Sequence, residues 1–351
     1  MKRYTAFFCI VSILLLTVSC RRRRADSTQV KQPEHKITIG FSIDTFVIER
    51  WRRDCDVFIA TANALGADVI VQTAGNSAEN QNKQIRYLID KGVDSLVIVP
   101  KEADSLTDAV KAAKAKNIPV LSYDRLIRNA DVSLYITIDS GRVGELMAQT
   151  LADKVPAGTY ICMYGAKEDF NMQMATKGVH SVLSKYPGIN VQTEYYTDNW
   201  NFDLAYRKMT ELLDSGMRPD AVICGNDAVA ESVLHALAEH RMNNVAVSGQ
   251  DADIAGCQRV AEGLQTMTVY KPITVLAKEA AENAYSFAAY HTSVPEHKGV
   301  KITQFLNNGL LDVPSILLEP VTVTKQNIDK VIIESGFHTR EEVYRTDPVK
   351  K

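Results

Sequence analysis

The sequence predicts an α/β protein of two doubly wound parallel-sheet lobes in tandem. Three observations predict it. Short apolar, β-branched runs alternate with helical patterns, the signature of βαβ units. The alternation stops and restarts near residue 158. The two halves also echo each other: "IPVLSYDR" (118–125) and "NVAVSGQD" (244–251) are both apolar runs that meet an aspartate. "DSLVIVP" (94–100) and "DAVICGND" (220–227) precede them, so Asp94 to Asp124 is 30 positions and Asp220 to Asp251 is 31. A chain of 351 residues has room for two such domains.

Taken in order, "KITIGFSI" (36–43) reads as a strand and Glu49 to Leu65 as a helix stopped by Gly66. "ADVIVQT" (67–73) is a strand, and Asn80 to Lys91 a helix ended by Gly92. "SLVIVP" (95–100) is a strand, Ala103 to Lys116 a helix, and "PVLSYD" and "SLYITID" two further strands. The second half continues through "GTYICMYG" (158–165), "NVQTEYY", "DAVICGN" and "VAVSGQD". "QTMTVYKPI" (265–273), a helix to Tyr290 and "KITQFLNNGLLDVPS" follow, the last read as a further crossing between lobes. The expected division is 36–138 with 271–306 for the first lobe and 139–270 with 307–340 for the second. Residues 341–351 are left as a tail.

The N-terminus reads as a targeting segment rather than fold. Lys2 and Arg3 precede an apolar run, Thr5 to Val18, too short to span a bilayer comfortably. It ends in "LTVSC", which resembles a bacterial lipoprotein signal with Cys20 as the lipid-bearing residue. Thr17 stands where leucine is usual, and a simple cleaved signal or a retained anchor are the alternatives. Residues 21–35 read as a polar tether whose Arg21 to Arg24 suit anionic headgroups, or simply as a solvated linker. The expected location is the periplasm or cell envelope.

Composition narrows the function. The net charge is −2, but residues 1–36 hold eight Lys/Arg against two Asp/Glu, leaving −8 on the body. An acidic body excludes nucleic acid, which needs a basic surface. Cys55, Cys162, Cys224 and Cys257 show no C-x-x-C spacing and read as unpaired buried thiols. No metal or cofactor is expected: His235 and His240 share no helix face, and "QDADIAG" lacks the remaining ligands of a calcium loop. Nothing in the sequence calls for an oligomer, so a monomer is expected.

Ligands of open parallel sheets sit beyond the carboxyl ends of the strands. Two facing lobes therefore make a cleft lined by strand-end residues. The first lobe offers Asp44, Arg50, Trp51, Tyr123, Asp124, Arg125 and Asp139. The second offers Asp169, Asn171, Trp200, Asn226, Asp227 and Asp251, and Lys271 follows the last crossing. Carboxylates accept, guanidinium groups donate and amides do both, which is what the hydroxyls of a neutral sugar require. The C–H faces of a sugar pack on aromatic rings, and Trp51 and Trp200 are the only tryptophans. The bland readings stand beside this. Asp139, Asp227 and Asp253 read equally well as helix N-caps. Asp54 and Asp56 read as solvated helix residues, and Trp51 would serve as core.

"IDTFVIERWRRD", "YDR", "GNDA", "SGQDADIAG", "QTMTVYKPI", "LNNGLLDVPS" and "GFH" resemble the pentose/hexose periplasmic-binding family of bacterial ABC sugar importers, on its D-xylose-binding branch. The resemblance runs from about residue 36 to 340. It implies a non-enzymatic periplasmic-binding-protein-like fold of two lobes joined by a three-stranded hinge, which closes on one monosaccharide, D-xylose or D-glucose, and serves a membrane permease. Carried over by position, the sugar contacts are Arg50, Trp51, Arg125, Asp169, Asn171, Trp200, Asn226, Asp251 and Lys271. The chain departs from the family pattern at "TFVIE", at "EDFNMQM" and at Ser140, all at or beside the pocket. Two rival functions use the same residues: a glycoside-processing enzyme with Asp124 and Asp251 as its carboxylates, and a sensor presenting its closed form to a chemoreceptor or kinase.

Overall fold

The computed structural model describes residues 36–47, 49–290 and 302–345; the signal and tether lie outside them. The first lobe opens with β1 (Thr38–Ile43), α1 (Glu49–Ala64), β2 (Asp68–Thr73), α2 (Ala78–Asp90), β3 (Ser95–Ile98), α3 (Thr107–Ala115), β4 (Val120–Tyr123) and β5 (Leu134–Ile138). The strands β1, β3, β4 and β5 are buried almost throughout, as strands covered on both faces by helices must be.

The second lobe follows with α4 (Ser140–Lys154), β6 (Gly158–Tyr164), α5 (Phe170–Leu183), β7 (Ile189–Tyr196), α6 (Phe202–Asp214), β8 (Ala221–Cys224), α7 (Asp227–Glu239), β9 (Ala246–Ser248), α8 (Ile254–Glu262) and β10 (Thr268–Tyr270). Its four-stranded sheet has the order β7-β6-β8-β9, all parallel. Cys162 and Cys224 are wholly buried within β6 and β8. The chain then returns to the first lobe as α9 (Ile273–Tyr290), which packs against α1.

The crossing expected at residue 307 is displaced. β11 (Gln304–Asn307) and β12 (Asp312–Leu318) complete the first sheet, whose order is β11-β12-β5-β4-β3-β1-β2. β12 pairs in parallel with β5 from Ser315 opposite Tyr135 to Leu318 opposite Ile138, and its Val313 and Ile316 are buried. Only after Leu318 does the chain recross, and β13 (Val321–Val323) pairs antiparallel with β10. The second lobe therefore resumes beyond Leu318. Part of the expected tail is also structured: α10 (Arg340–Tyr344) carries a Thr339/Glu342 capping box and packs on α8.

Three connections thus join the lobes among the described residues: β5 to α4, β10 to α9, and β12 to β13. They run side by side, and the Asp139 N–H donates to the Leu318 carbonyl at 3.0 Å. The loops after β1, β2, β3 and β4 of the first lobe and after β6, β7, β8 and β9 of the second consequently line one cleft.

In the second lobe α4 and α5 meet backbone to backbone. A Cβ on Gly144 would lie 1.9 Å from the Ala175 carbonyl oxygen, and one on Gly178 would lie 2.1 Å from that of Gly141. The helix that opens the second lobe at the hinge is seated by this contact on the helix that carries Asp169 and Asn171. Gly144→Ala is expected to cost about 3 kcal/mol through forced separation of the helices, read as a lower melting temperature. An unchanged melting temperature would show that this contact carries no packing constraint.

Candidate functional site

Each site side chain is placed by the junction of a strand with the next helix. Arg50 and Trp51 lie in the first turn of α1, and Asp124 and Arg125 follow β4. Asp169 is the N-cap of α5, its carboxylate accepting the N–H groups of Asn171 at 2.8 Å and Met172 at 3.4 Å. Asn226 caps α7 through Val229 N–H at 2.9 Å, and Asp139 caps α4. Of the three aspartates read as possible caps, Asp139 caps with its side chain, Asp227 sits inside α7, and the Asp253 side chain makes no cap bond.

The structure brings all nine predicted residues around one inner chamber: Arg50, Trp51, Arg125, Asp169, Asn171, Trp200, Asn226, Asp251 and Lys271. Four further residues complete its wall: Asp124, Ser140, Met172 and Gln250. Asp124 was already in view as a strand-end residue and Ser140 as a departure beside the pocket, whereas Met172 and Gln250 were not singled out. The chamber holds three cations and three carboxylates, so its charge balances. That suits a neutral polar ligand and not an anion.

These groups bond to one another across the cleft. Arg125 donates from Nη1 to Asp44 at 2.7 Å in its own lobe, and its Nε lies 3.0 Å from Asp169 in the other. Asn171 Nδ2 donates to the Asp124 carbonyl at 2.8 Å and to its carboxylate at 2.9 Å. Trp200 Nε1 donates to Asp169 at 3.1 Å. Lys271 Nζ lies 2.8 Å from Asp251 Oδ1 without the geometry of a hydrogen bond, leaving that oxygen and Trp51 Nε1 as buried polar atoms with unmet bonding capacity. With the side chains folded together the chamber measures about 40 Å³. That is on the order of one water's share of liquid volume.

Arg50 is held from behind. Its Nη2 lies 2.8 Å from Asp124, its Nε donates to Asp54 at 3.2 Å, and its guanidinium stacks 4.3 Å from the Trp51 ring. Asp54 is 1% exposed and also accepts the Tyr123 hydroxyl, so its reading as a solvated helix residue is corrected. Its bond to Tyr123 spans 69 positions in sequence, beyond the reach of helix periodicity. Burial raises the Asp54 pKa despite the attraction of Arg50. Burial also opposes the charge on Arg50, yet Asp124, Asp54 and Asp251 overcome it and raise its pKa well above the ordinary value. Trp51 proves to be both core and chamber wall, at 2% exposure.

Trp200 sits in a turn with two left-handed residues, Asn199 at φ 50° and Trp200 at φ 59°. Its ring covers Gly165, where a Cβ would come within 2.3 Å of the indole. Outside the chamber lies a vestibule of about 500 Å³, bordered by Asp44, Val47, Lys101, Glu168, Asn199 and Phe202 among others.

Behind the second-lobe wall, Asp227 ties the site loops together. It accepts from Gln265 Nε2 at 2.7 Å, Thr268 Oγ1 at 2.8 Å and Asp253 N–H at 3.1 Å. Gly249 and Gly256 leave room for it, since a Cβ at either would lie 2.2 Å from its carboxylate. Burial pushes its pKa up to about 7, against the lowering by Gln265, Arg259 and Thr268.

The comparisons with known proteins follow the same lines. The periplasmic binding protein domain family matches residues 39–291. The D-xylose-binding periplasmic protein of Escherichia coli is 42% identical over 321 residues, 90% of this chain and 95% of that protein. The protein of the same name from Haemophilus influenzae is 40% identical over 88% of this chain and 92% of its own length. A solved ABC transporter solute-binding protein from Clostridium phytofermentans, with bound β-D-glucose, superposes with a TM-score of 0.78 at 28% identity. It covers 87% of this chain and 99% of its own.

Asp227 yields a pH prediction. An unfolded aspartate ionises at about pH 4, whereas the folded group stays protonated to about pH 7. Within that window the folded state binds more protons, so stability falls as pH rises. The wild-type melting temperature should therefore drop from pH 4 to pH 7 relative to Asp227→Asn. Parallel curves for the two proteins would contradict this.

Proposed function

The chain belongs to the periplasmic binding protein family of sugar importers, whose members bind solutes and are not enzymes, and from that premise we propose that it captures one D-xylose between its lobes. The observation that carries this is the charge-balanced chamber lined from both lobes and the hinge by three cations, three carboxylates, two amides and two tryptophans besides Gln250. In the proposed complex, Arg50, Arg125 and Lys271 donate to hydroxyls, Asp169 and Asp251 accept, and Asn171 and Asn226 do both. Trp51 and Trp200 pack on the faces of the ring. Hydrogen bonds to charged groups contribute roughly 1.5–3 kcal/mol each, and several together offset the stripping of water from a polyol. Each lobe alone supplies only part of this set, so binding requires closure.

D-glucose is the second reading, favoured by the glucose-bound relative. It differs from D-xylose by one exocyclic CH₂OH; Phe46 and Phe170, in the stretches that depart from the family pattern, pack against the core and line neither the chamber nor the vestibule. A carboxylate-based hydrolase is disfavoured, since Asp124 and Asp251 come from opposite lobes and each already lies 2.8 Å from a cation. We further propose export, lipid attachment at Cys20 and delivery of the sugar to the permease of an ABC importer. The anchor rests on the sequence alone, its residues lying outside those described.

Tryptophan fluorescence of the chain from His35 onward, titrated with D-xylose, D-glucose, D-galactose, D-ribose and L-arabinose, tests the reading. A saturable change with D-xylose, or with D-glucose in the second reading, is expected; a flat signal with all five would remove it. Asp251→Ala should weaken D-xylose binding by more than about a hundredfold while the far-ultraviolet circular dichroism stays unchanged. Retained affinity would place the site elsewhere. Asp54→Asn, which lies behind Arg50 and Tyr123 and outside the chamber wall, should weaken binding by about tenfold. Unaltered affinity would show that Arg50 needs no support from Asp54.

A further inference from the structure

Resting on the sugar-binding reading above, we propose that Arg53 and Phe337 form a clasp between the lobes that sets how long the closed form holds its sugar. Neither residue lines the chamber or the vestibule. Both are positioning residues, acting on the ligand through the chamber groups beside them.

The contact itself is the first argument. Arg53 lies on α1 of the first lobe, and Phe337 lies beyond the helical turn Asp329–Ile333 of the second. Arg53 Nη1 donates to the Phe337 carbonyl at 2.6 Å, and the same guanidinium stacks 4.3 Å from the Phe337 ring. One residue thus receives a charge-assisted hydrogen bond and a cation–π contact from a partner 284 positions away. Arg125–Asp169 and Asn171–Asp124 also join the lobes, but they are built from chamber groups. Under the proposed function those groups turn to the sugar, whereas no chamber group is needed for the clasp.

The seating of Phe337 is the second argument. Gly336, at φ 74°, turns the chain, and the N–H groups of Phe337 and His338 both donate to the Ile332 carbonyl, at 3.0 and 3.4 Å. Ile332 is wholly buried in the core between this segment and α8. His338 is buried too, and its Nε2 donates at 2.8 Å to the carbonyl of Ala252, the neighbour of Asp251. The Phe337 ring meets that of Tyr270, the neighbour of Lys271, edge-on with centroids 4.9 Å apart. Arg53 stands about one turn along α1 from Arg50 and Trp51. The step Phe337–His338 therefore touches the three segments that carry Arg50 and Trp51, Asp251, and Lys271. It holds the chamber groups of α1 in register with those of the second lobe and the hinge.

A ligand that binds only the closed form has an apparent affinity scaled by the population of that form. A contact made on closure, away from the ligand, raises that population. Its effect falls on dissociation, because the clasp forms after encounter and must open before the sugar leaves.

The test is stopped-flow tryptophan fluorescence of the full chain mixed with D-xylose, or with D-glucose if that is the sugar bound. Arg53→Ala should raise the dissociation rate about fivefold and leave the association rate within about twofold. In a Phe337→Leu background, which removes the ring, Arg53→Ala should raise the dissociation rate by less than about twofold. An Arg53→Ala dissociation rate equal to that of the wild type would overturn the clasp and leave the sugar-binding reading standing. A loss of affinity carried by the association rate would overturn it as well, as would an undiminished effect of Arg53→Ala in the Phe337→Leu background. Binding of neither sugar by the wild type would remove both proposals.

Discussion

The guanidinium of Arg125 lies between two carboxylates, Asp44 in its own lobe and Asp169 in the other, with all three side chains under 10% exposed. Much of the site follows from keeping that charge satisfied away from water. An ion out of water costs several kcal/mol, and a buried pair often stabilises a fold no better than well-packed apolar residues would. Arg50–Asp124 and Lys271–Asp251 repeat the pattern within the same chamber. Three such pairs in one small space are a poor way to stabilise two lobes. Under the proposed function they present donors and acceptors that exchange partners when a polyol arrives.

The fold provides the geometry for that exchange. Parallel strands direct their carboxyl ends toward one side of each sheet, and three adjacent connections hold the two sides face to face. Caps do double duty. The Asp169 carboxylate closes the first turn of α5 while also taking Arg125 and Trp200, and Asn226 closes the first turn of α7 at the chamber wall. The rigid start of a helix thereby fixes a group that lines the chamber. Asp227 does the same for the loop beyond Ser248, by tying Asp253 to β10 just behind Asp251.

Much of this was legible in the sequence because it depends on local order. Strand-end position brought fourteen polar and aromatic residues into view, the family resemblance singled out nine of them, and apolar runs identified the strands around them. What was not legible depends on pairing between distant segments. "KITQFLNNGLLDVPS" reads as a crossing between lobes, and only the register of β12 against β5 assigns that segment to the first sheet. Asp54 has the helical spacing of a surface residue, and Tyr123, brought over by β4, buries it. Asp124 lay in view beside Arg125, yet its bonds to Arg50 and Asn171 join elements that periodicity cannot relate. The vestibule had no sequence signal at all, because Val47 and Phe202 become neighbours of one space only when the lobes meet.

The most direct test of the central claim is a crystal structure of the chain grown with D-xylose. The account predicts one pyranose in the chamber, its hydroxyls bonded to Arg50, Arg125, Asp169, Asn226 and Asp251, its faces against Trp51 and Trp200, and the direct Arg125–Asp169 contact replaced or lengthened. A sugar bound elsewhere with the chamber pairs intact would contradict it.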